Sequence, residues 1–404
     1  MKNLAQLELI YIVEINPLSK ISLLLDEIKR YFFFLNSIEY GNSDTNSIVT
    51  FSAIDSNRYQ IFVRLGIQEI GGINGGISKI ATIFFGNPFR SSNIISAMLT
   101  SIKFLSSLSK SFLGPMVGIS GVKAIFKEEQ FPLISVPIFQ FSDEDICTKL
   151  VKILYSSGVS VFCDGTLSDV SIEILKKRVD FLSSITYKTK KPLFYFFNGS
   201  IEIDILIEIL HFINKEKMPE YVNVGVRICP ISSGLAVCSL VRKFNLPMFG
   251  YNMFHKALTN GKSFAISAGA LASVFRAIGC DLINIGLLTK TVIESSIASE
   301  IIQGATCVLE NSIRQSVPVF TGGLTPNTVY KTIREFGPDV ILHTATPILR
   351  SGIKTKKIER NVAAIVEASE LATSGLSIEY SFRNEKKSVK NWRSYNDEYS
   401  EKSE

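Results

Sequence analysis

Short hydrophobic segments alternate with amphipathic ones along the chain from residue 132 onward. Each short segment is almost continuously apolar, as a strand buried on both faces of a parallel sheet must be. These segments are LISVPI (133–138), VSVFC (159–163), LFYFF (193–197), VNVGVRI (222–228), LPMFG (246–250), LINIG (282–286), VPVFT (317–321) and DVILH (339–343). Between them, apolar residues recur about every 3.6 positions, which is the period of an amphipathic helix. The pattern therefore predicts repeated strand–helix units.

Eight strand–helix units within about 240 residues predict an α/β fold, and in particular a (β/α)8 TIM barrel, which typically has about 250 residues. An open doubly wound sheet would give a similar alternation. Its Gly-rich phosphate loop would follow the first strand, but the segment PIFQFSDED (137–145) contains no glycine. The barrel is therefore the favoured fold.

Residues 1–115 have a different pattern, which predicts a smaller α+β domain of the ferredoxin-like type. Four strands are predicted from LELIYIVEI (7–15), NSIVTFSAID (46–55), RYQIFVRLGI (58–67) and SKIATIFFG (78–86). Two helices are predicted over residues 19–36 and 90–110. The barrel then occupies residues 116–376. Residues 377–404 are charged, rich in serine and poor in aliphatic side chains, which predicts a flexible tail.

The charge pattern argues against a nucleic-acid partner. The 43 Lys and Arg residues exceed the 37 Asp and Glu residues and give a net charge of +6, but the basic residues form short scattered runs near helix ends and loops. An apolar run of about 18 residues, which a membrane span requires, is missing. Glu8 and Glu14 interrupt the N-terminal apolar stretch, so we expect no signal peptide. The six cysteines are scattered without a CxxC pair, which predicts a reduced, cytoplasmic protein.

Several segments, in their order along roughly residues 8–375, resemble the RuBisCO large-chain family. They are ATIFFGNPFRSSNIISAMLTSI (81–102), GPMVGISGVKAIF (114–126), FPLISVPIF (131–139), FNGS (197–200) and TGGLTPN (321–327). The two-domain plan is also similar to that of the family. The resemblance implies a homodimer in which the N-terminal domain of one subunit covers the barrel mouth of its partner.

The residues that carry catalysis in the family are replaced here. The family motif Lys-Asp-Asp-Glu, which holds Mg²⁺ through a carbamylated lysine and two carboxylates, corresponds to Cys163-Asp164-Gly165-Thr166. The other replaced positions are Phe139 and Phe141 for two lysines, Tyr251 and Asn252 for a His-Arg pair, Asn284 for a histidine, and Ala345-Thr346-Pro347 for a glycine loop. Mg²⁺ requires hard oxygen ligands, usually including carboxylates. We therefore expect a RuBisCO-like protein with a degenerate active site and no metal cofactor.

A phosphate-binding loop is the part of the family site that the sequence retains. The predicted ligand-binding residues are Thr321, Gly322, Gly323, Asn198 and Lys290. Two glycines let the backbone approach an anion, and the N-terminus of the next helix supplies N–H donors. Arg227 and Arg350 lie near barrel loops and could also bind an anion. The alternative is an ordinary strand-to-helix turn.

The catalytic candidates are Lys290, Asp164, Cys163 and His255. Cys163 and Asp164 are adjacent on a strand, so their side chains should face opposite sides. A reactive thiolate needs a histidine, a lysine or a helix N-terminus nearby. His255 and His343 could provide one in space, whereas the alternative for Cys163 is a small buried core residue.

Three functions remain open at this point. The first is the binding of a small phosphorylated ligand at the barrel mouth, with metal-independent chemistry such as isomerisation. The second is a non-catalytic dimer with a structural or regulatory role. The third is a methionine-salvage-type enolase, 2,3-diketo-5-methylthiopentyl-1-phosphate enolase, with rearranged residues.

Overall fold

The structure of the protein, a computed structural model, describes residues 6–40, 48–66, 89–105, 112–126, 131–139, 144–166, 168–251, 258–286, 295–307, 313–349, 354–378 and 390–399. The chain begins with an α+β domain made of β1 (Gln6–Ile15), α1 (Ile21–Tyr40), β2 (Ile48–Ala53), β3 (Arg58–Gly66) and β4 (Ile94–Leu105). Its sheet has the order β4–β1–β3–β2, with antiparallel pairs throughout. The predicted α+β domain is confirmed.

Strand β4 corrects the helix predicted over residues 90–110. Residues 94–105 form a strand that pairs with β1 along its length. The register shifts between Ile10 and Tyr11, so an irregularity breaks the period of two that would mark a strand in the sequence. Pairing with the neighbouring strands therefore outweighs the local sequence pattern in determining the structure of this segment. The strand predicted over 78–86 lies outside the described residues.

The predicted barrel is confirmed. The remaining described strands are β5 (Leu133–Phe139), β6 (Val161–Asp164), β7 (Leu193–Asn198), β8 (Val222–Ile228), β9 (Met248–Gly250), β10 (Phe264–Ile266), β11 (Leu282–Gly286), β12 (Val317–Thr321) and β13 (Ile341–His343). All of these except β10 form a closed parallel barrel in chain order, in which β13 pairs with β5. Their near-continuous burial explains why the strands read as unbroken apolar runs.

Helices surround the barrel. Those described are α2 (Gly118–Phe126), α3 (Glu144–Ser156), α4 (Ile172–Thr189), α5 (Ile203–Lys215), α6 (Pro230–Ser233), α7 (Leu235–Lys243), α8 (Ala268–Ala277), α9 (Ser295–Thr306), α10 (Pro326–Phe336), α11 (Thr346–Leu349), α12 (Thr355–Thr373) and α13 (Lys390–Tyr399). Side-chain oxygens of Ser171, Ser267 and Thr325 cap α4, α8 and α10. Within the described part of the chain, none of these helices combines the length and apolarity needed to cross a bilayer.

The barrel interior has its own apolar cluster, which helix α2 closes at the N-terminal end of the strands. The ring of Phe126 on α2 lies 5.3 Å from that of Phe194 on β7. Asp281, just before β11, accepts hydrogen bonds from the N–H groups of Val117 and Gly118 at 2.5 and 2.9 Å. A carboxylate at a helix N-terminus is favourable because it meets unpaired N–H groups there.

Strand β10 joins the two parts of the fold. It leaves the barrel after β9 and adds to the N-terminal sheet, parallel to β4. Ala97 donates to the carbonyl of Ser263 at 2.9 Å, and Ser267 donates to the carbonyl of Leu99 at 2.8 Å. The predicted division at residue 115 therefore leaves out one strand of this sheet.

Helix α13 corrects the prediction of a flexible tail for residues 390–399. Trp392 is fully buried and donates its Nε1–H to Asn327 at 3.1 Å. The carboxylate of Glu367 on α12 accepts the N–H of Trp392 at 2.8 Å. Average composition is a poor guide here, since one aromatic side chain fixes a segment that is otherwise polar. The rest of the predicted tail, apart from residues 377 and 378, lies outside the described residues.

Candidate ligand site at the barrel mouth

A buried polar cluster inside the barrel joins residues near the C-terminal ends of β6 and β13 to one from the middle of β5. Ser135 on β5, Cys163 on β6 and His343 on β13 are all buried. Ser135 Oγ lies 2.8 Å from His343 Nδ1, while Cys163 Sγ lies 3.7 Å from that oxygen and 3.9 Å from that nitrogen. Cys163 belongs to the interior cluster, so this group faces into the barrel. Active sites of TIM barrels lie at this end.

Burial keeps the thiol and the imidazole of this cluster neutral. It raises the pKa of Cys163 to about 11, although the charge of Arg227 and the hydroxyl of Ser135 act to lower it. Burial also lowers the pKa of His343 to about 3, and Arg227 lowers it further. A neutral thiol is a poor nucleophile. The geometry therefore favours the buried-core alternative for Cys163 over a cysteine nucleophile.

The carboxylate of Asp164 faces away from the barrel interior, into the layer between strands and helices. Its Oδ1 accepts hydrogen bonds from Arg178 Nη1 at 3.1 Å and from the Tyr195 hydroxyl at 2.8 Å. Its Oδ2 accepts the backbone N–H of Asn198 at 3.0 Å. Burial raises the pKa of Asp164 to about 6, although Arg178 and these donors act to lower it. This catalytic candidate is held within the packing and does not point toward the mouth.

Arg227 on β8 places a guanidinium group beside the end of β6. Its Nη1 donates to the backbone carbonyl of Asp164 at 2.5 Å. Its Cζ lies 4.6 Å from the ring centre of Tyr251 and 5.9 Å from that of Phe249. Its Nε is buried and has no hydrogen-bond partner among the described residues. The guanidinium group is thus within cation–π distance of an aromatic ring and has one donor unused among the described residues.

The predicted phosphate loop follows β12 and is more open than the cluster below it. Thr321 donates its hydroxyl to Asn284 Oδ1 at 2.8 Å, and the N–H of Gly322 donates to the carbonyl of His343 at 3.2 Å. Gly322 has a φ of +120°, a conformation that favours glycine. Gly322 and Gly323 are exposed, and a Cβ added at Gly323 would meet open space. The loop leaves room for a ligand beside the start of α10.

Asn198 uses its side chain within the protein. Its Nδ2 donates to the carbonyls of Thr166 and Ser168 at 3.3 and 3.2 Å, and its Oδ1 accepts the N–H of Ser200 at 3.1 Å. The side chain of Asn198 thus ties the loop that follows β7. Its role in ligand binding stays a prediction.

Sequence comparison connects the chain to known enzymes. No protein-family model matches it. It is 24% identical to the ribulose bisphosphate carboxylase of Thermococcus kodakarensis over 302 residues, an alignment that covers 68% of this chain and 66% of that protein. It is also 24% identical to the ribulose bisphosphate carboxylase of Methanocaldococcus jannaschii over 383 residues, covering 81% of this chain and 87% of that protein.

Solved structures share the fold over nearly the whole chain. Octameric RuBisCO from Pyrococcus horikoshii superposes with a TM-score of 0.80 at 18% identity, covering 99% of this chain and 94% of that one. Dimeric RuBisCO from Hyperthermus butylicus gives 0.77 at 17% identity, covering 98% and 96%. A RuBisCO-like protein from Burkholderia fungorum gives 0.77 at 16% identity, covering 96% and 98%.

In sequence and in fold, the chain is similar to the RuBisCO large-chain family. The Mg²⁺ site of that family does not fit the residues present. Cys163, Gly165 and Thr166 supply no carboxylate, and both oxygens of Asp164 are bonded to donors of the chain. In the portion of the chain that the structure describes, no three His, Cys, Asp or Glu side chains are grouped as metal ligands.

Other positions matched to RuBisCO residues fall into two groups. Phe139 lies outside the barrel interior, where its ring is 5.5 Å from that of Tyr195 and 4.6 Å from Arg178 Cζ. It therefore does not fill the mouth. Several candidates lie outside the described residues: His255, Lys290, Arg350, Phe141 and Asn252.

Ser135 was not among the predicted site residues. The sequence signal for it is a lone hydroxyl within the apolar run LISVPIF, two positions from the interior residue Leu133. Arg227 carries a similar signal, since it is a charged side chain inside the buried strand VNVGVRI. Both residues lie on the inward face because side chains alternate along a strand.

A cavity of about 580 Å³ lies at the opposite end of the barrel. It is lined by the start of β5, the 155–160 turn, Lys191 and the last turns of α12. Residues at this N-terminal face of TIM barrels serve stability rather than catalysis. We therefore keep the candidate site at the mouth, where the polar cluster lies.

Proposed function

We propose that the protein is a RuBisCO-like protein without a carbamylated-lysine Mg²⁺ site, that it is not a carboxylase, and that it binds a small phosphorylated sugar-type ligand. The observation that carries this proposal is the end of β6. The position of the family's lysine is Cys163, whose thiol packs against Ser135 and His343, and the neighbouring carboxylate of Asp164 is bonded to Arg178.

Carboxylation by this family requires an enediolate whose negative charge a metal ion stabilises. The side chains described at the end of β6 offer a thiol, a hydroxyl and an internally bonded carboxylate. These groups do not form an octahedral oxygen cage for Mg²⁺. The proposal therefore excludes incorporation of carbon dioxide into a sugar bisphosphate.

The loop from Thr321 to Gly323 supports the phosphate part of the proposal. The exposed glycines let the backbone of the loop approach a phosphate, and α10, which follows, presents its N-terminus with a partial positive charge. Lys290, the counterpart of a mobile-loop lysine in the family, would add a second positive charge. Metal-independent isomerisation, which moves a proton between neighbouring carbons, stays part of the proposal, but it needs a base other than His343, because burial lowers the pKa of His343 to about 3.

Calorimetric titration with inorganic phosphate and with ribulose 1,5-bisphosphate, in the presence of EDTA, tests this proposal. We expect both to bind without metal. Gly323→Glu should weaken phosphate binding by about tenfold, because it adds a negative charge in open space, whereas Gly323→Ala at the same position should bind as the unchanged protein does.

Two results would contradict the proposal. Absence of binding by either compound would favour the non-catalytic dimer, and turnover that depends on Mg²⁺ would favour the enolase. Retained phosphate binding by Gly323→Glu would remove the loop from the site.

We also propose that the protein is a cytoplasmic homodimer. The family structures that match over nearly the whole chain include a dimeric and an octameric RuBisCO. All six cysteines are free thiols, five of them buried, which suits a reducing compartment. Light scattering on the purified protein should give about twice the mass of one chain, and a monomeric mass would reject the dimer.

A further inference from the structure

Arg227 brings a permanent positive charge to the end of β6, the place that corresponds to the family's metal motif. It starts on β8 and reaches past β7 to the backbone carbonyl of Asp164. Its charge acts on Cys163 and His343, since it contributes to the altered pKa of each. Its Cζ lies 5.9 Å from the ring centre of Phe249, and that ring centre lies 5.6 Å from the ring centre of His343.

Arg227 forms no ion pair with a carboxylate of the described residues. Asp164 carries the described carboxylate next to Arg227, but its ion pair is with Arg178 at 3.1 Å. The nearby thiol and imidazole are neutral. A buried or half-buried charge without a counter-charge is costly, because water no longer solvates it fully. An anionic ligand would offset this cost.

The geometry of the guanidinium also restricts the kind of anion. Its Cζ lies 4.6 Å from the ring centre of Tyr251, and the bond from Nη1 to the carbonyl of Asp164 occupies one edge. The other edge includes Nε, which is buried and unpartnered among the described residues. Two parallel N–H groups on one edge match the two oxygens of a carboxylate.

We propose that Arg227 takes the place of the metal ion and binds a ligand carboxylate through its Nε edge. The inference rests on the proposed function, and it narrows the ligand class to a phosphorylated hydroxy acid. The carboxylate of this ligand contacts Arg227, and its phosphate contacts the loop at Gly322 and Gly323.

Titrations of three probes in EDTA test this inference: inorganic phosphate, oxalate and 2-phosphoglycolate. We expect 2-phosphoglycolate to bind the tightest. Arg227→Gln should weaken oxalate and 2-phosphoglycolate by about tenfold or more and leave inorganic phosphate unchanged. Arg227→Lys keeps the positive charge but lacks the two parallel N–H groups, so it should give an intermediate loss of affinity. Arg242→Gln is the matched control, since Arg242 also donates to a backbone carbonyl, that of Gly114 at 2.7 Å.

The failure of this inference is distinguishable from that of the proposed function. If the unchanged protein does not bind inorganic phosphate but binds oxalate in a way that depends on Arg227, the phosphate loop is rejected and the inference stands. Phosphate binding together with equal oxalate affinity in the unchanged protein and Arg227→Gln would overturn the inference alone. Oxalate binding that occurs only in the presence of Mg²⁺ would overturn the inference as well.

A measurement on the unmutated protein covers the case in which Arg227→Gln does not fold. In ¹⁵N-labelled protein, oxalate should shift one arginine Nε–H resonance. The resonance that is missing from the spectrum of Arg227→Lys identifies it as that of Arg227. Inorganic phosphate should leave that resonance in place. An unshifted set of arginine Nε–H resonances at saturating oxalate would reject the contact.

Discussion

The hydroxyl of Ser135 lies 2.8 Å from Nδ1 of His343, so side chains of the first and last barrel strands meet inside the mouth. The pairing of β13 with β5, in which Ser135 is the partner of His343, sets this contact. Closure of the barrel and formation of the candidate site are therefore the same structural event. A change at either residue should affect stability and ligand binding together.

The lowered pKa of His343 predicts a loss of stability in acid. An exposed histidine has a pKa near 6.5, whereas that of His343 is about 3. As the pH falls below 6.5, the unfolded chain binds a proton that the folded protein does not, so the free energy of unfolding decreases. Between pH 7 and 5 this single group should cost about 2 kcal/mol.

Urea unfolding of the unchanged protein and of His343→Gln at pH 7 and 5 measures this effect. Asp164 acts in the opposite direction below pH 6, because its raised pKa lets the folded protein bind a proton before the unfolded chain does. The comparison between the two proteins isolates His343, since Asp164 is present in both. His211→Gln, at an exposed helix position, is the control. Equal pH dependence in His343→Gln and the unchanged protein would contradict the prediction.

The buried pair of Asp164 and Arg178 should show strong coupling. Asp164→Asn leaves the charge of Arg178 buried without its partner, and we expect a loss of about 3–5 kcal/mol in the free energy of unfolding. Arg178→Met should cost a similar amount. The double variant should be more stable than the sum of the two losses predicts, because it leaves neither charge unpaired.

Chemical unfolding of the four proteins in this cycle gives the coupling energy. If the two single losses simply add in the double variant, then the ion pair at 3.1 Å contributes little to stability. A further check is binding of inorganic phosphate, which the pair should not affect, since it lies behind the barrel wall.

Mg²⁺ should leave the thermal stability of the protein unchanged. A ligand that binds the folded state raises the unfolding temperature in proportion to its affinity, so a chain without a metal site gains nothing. Unfolding curves in EDTA and in about 10 mM Mg²⁺ with bicarbonate, at matched ionic strength, measure this. A rise that Mg²⁺ produces and Na⁺ does not would contradict the absence of a carbamate site at Cys163.

The sequence predicted the barrel strands well because burial on both faces leaves an unbroken apolar run. It failed at β4, where the register shift beside Ile10 and the pairing with β10 depend on residues far away in the chain. The site was predicted in part. Loss of the metal motif was readable at Cys163, but the contact of Ser135 with His343 joins residues 208 positions apart, and local patterns contain no such information.

Trp392 should anchor helix α13 to the barrel. It is the single tryptophan of the chain and is fully buried, so intrinsic fluorescence reports directly on the docking of this helix. Asn327→Ala removes the acceptor of its Nε1–H and should cost about 1–2 kcal/mol, because the donor is then buried without a partner. The emission of this variant should shift to the red at lower urea than that of the unchanged protein. Tyr187→Ala, which removes an aromatic ring that is 77% exposed, should leave the transition in place. A red-shifted emission of the unchanged protein in the absence of urea would mean that α13 is not docked, and would restore the flexible tail that composition predicts.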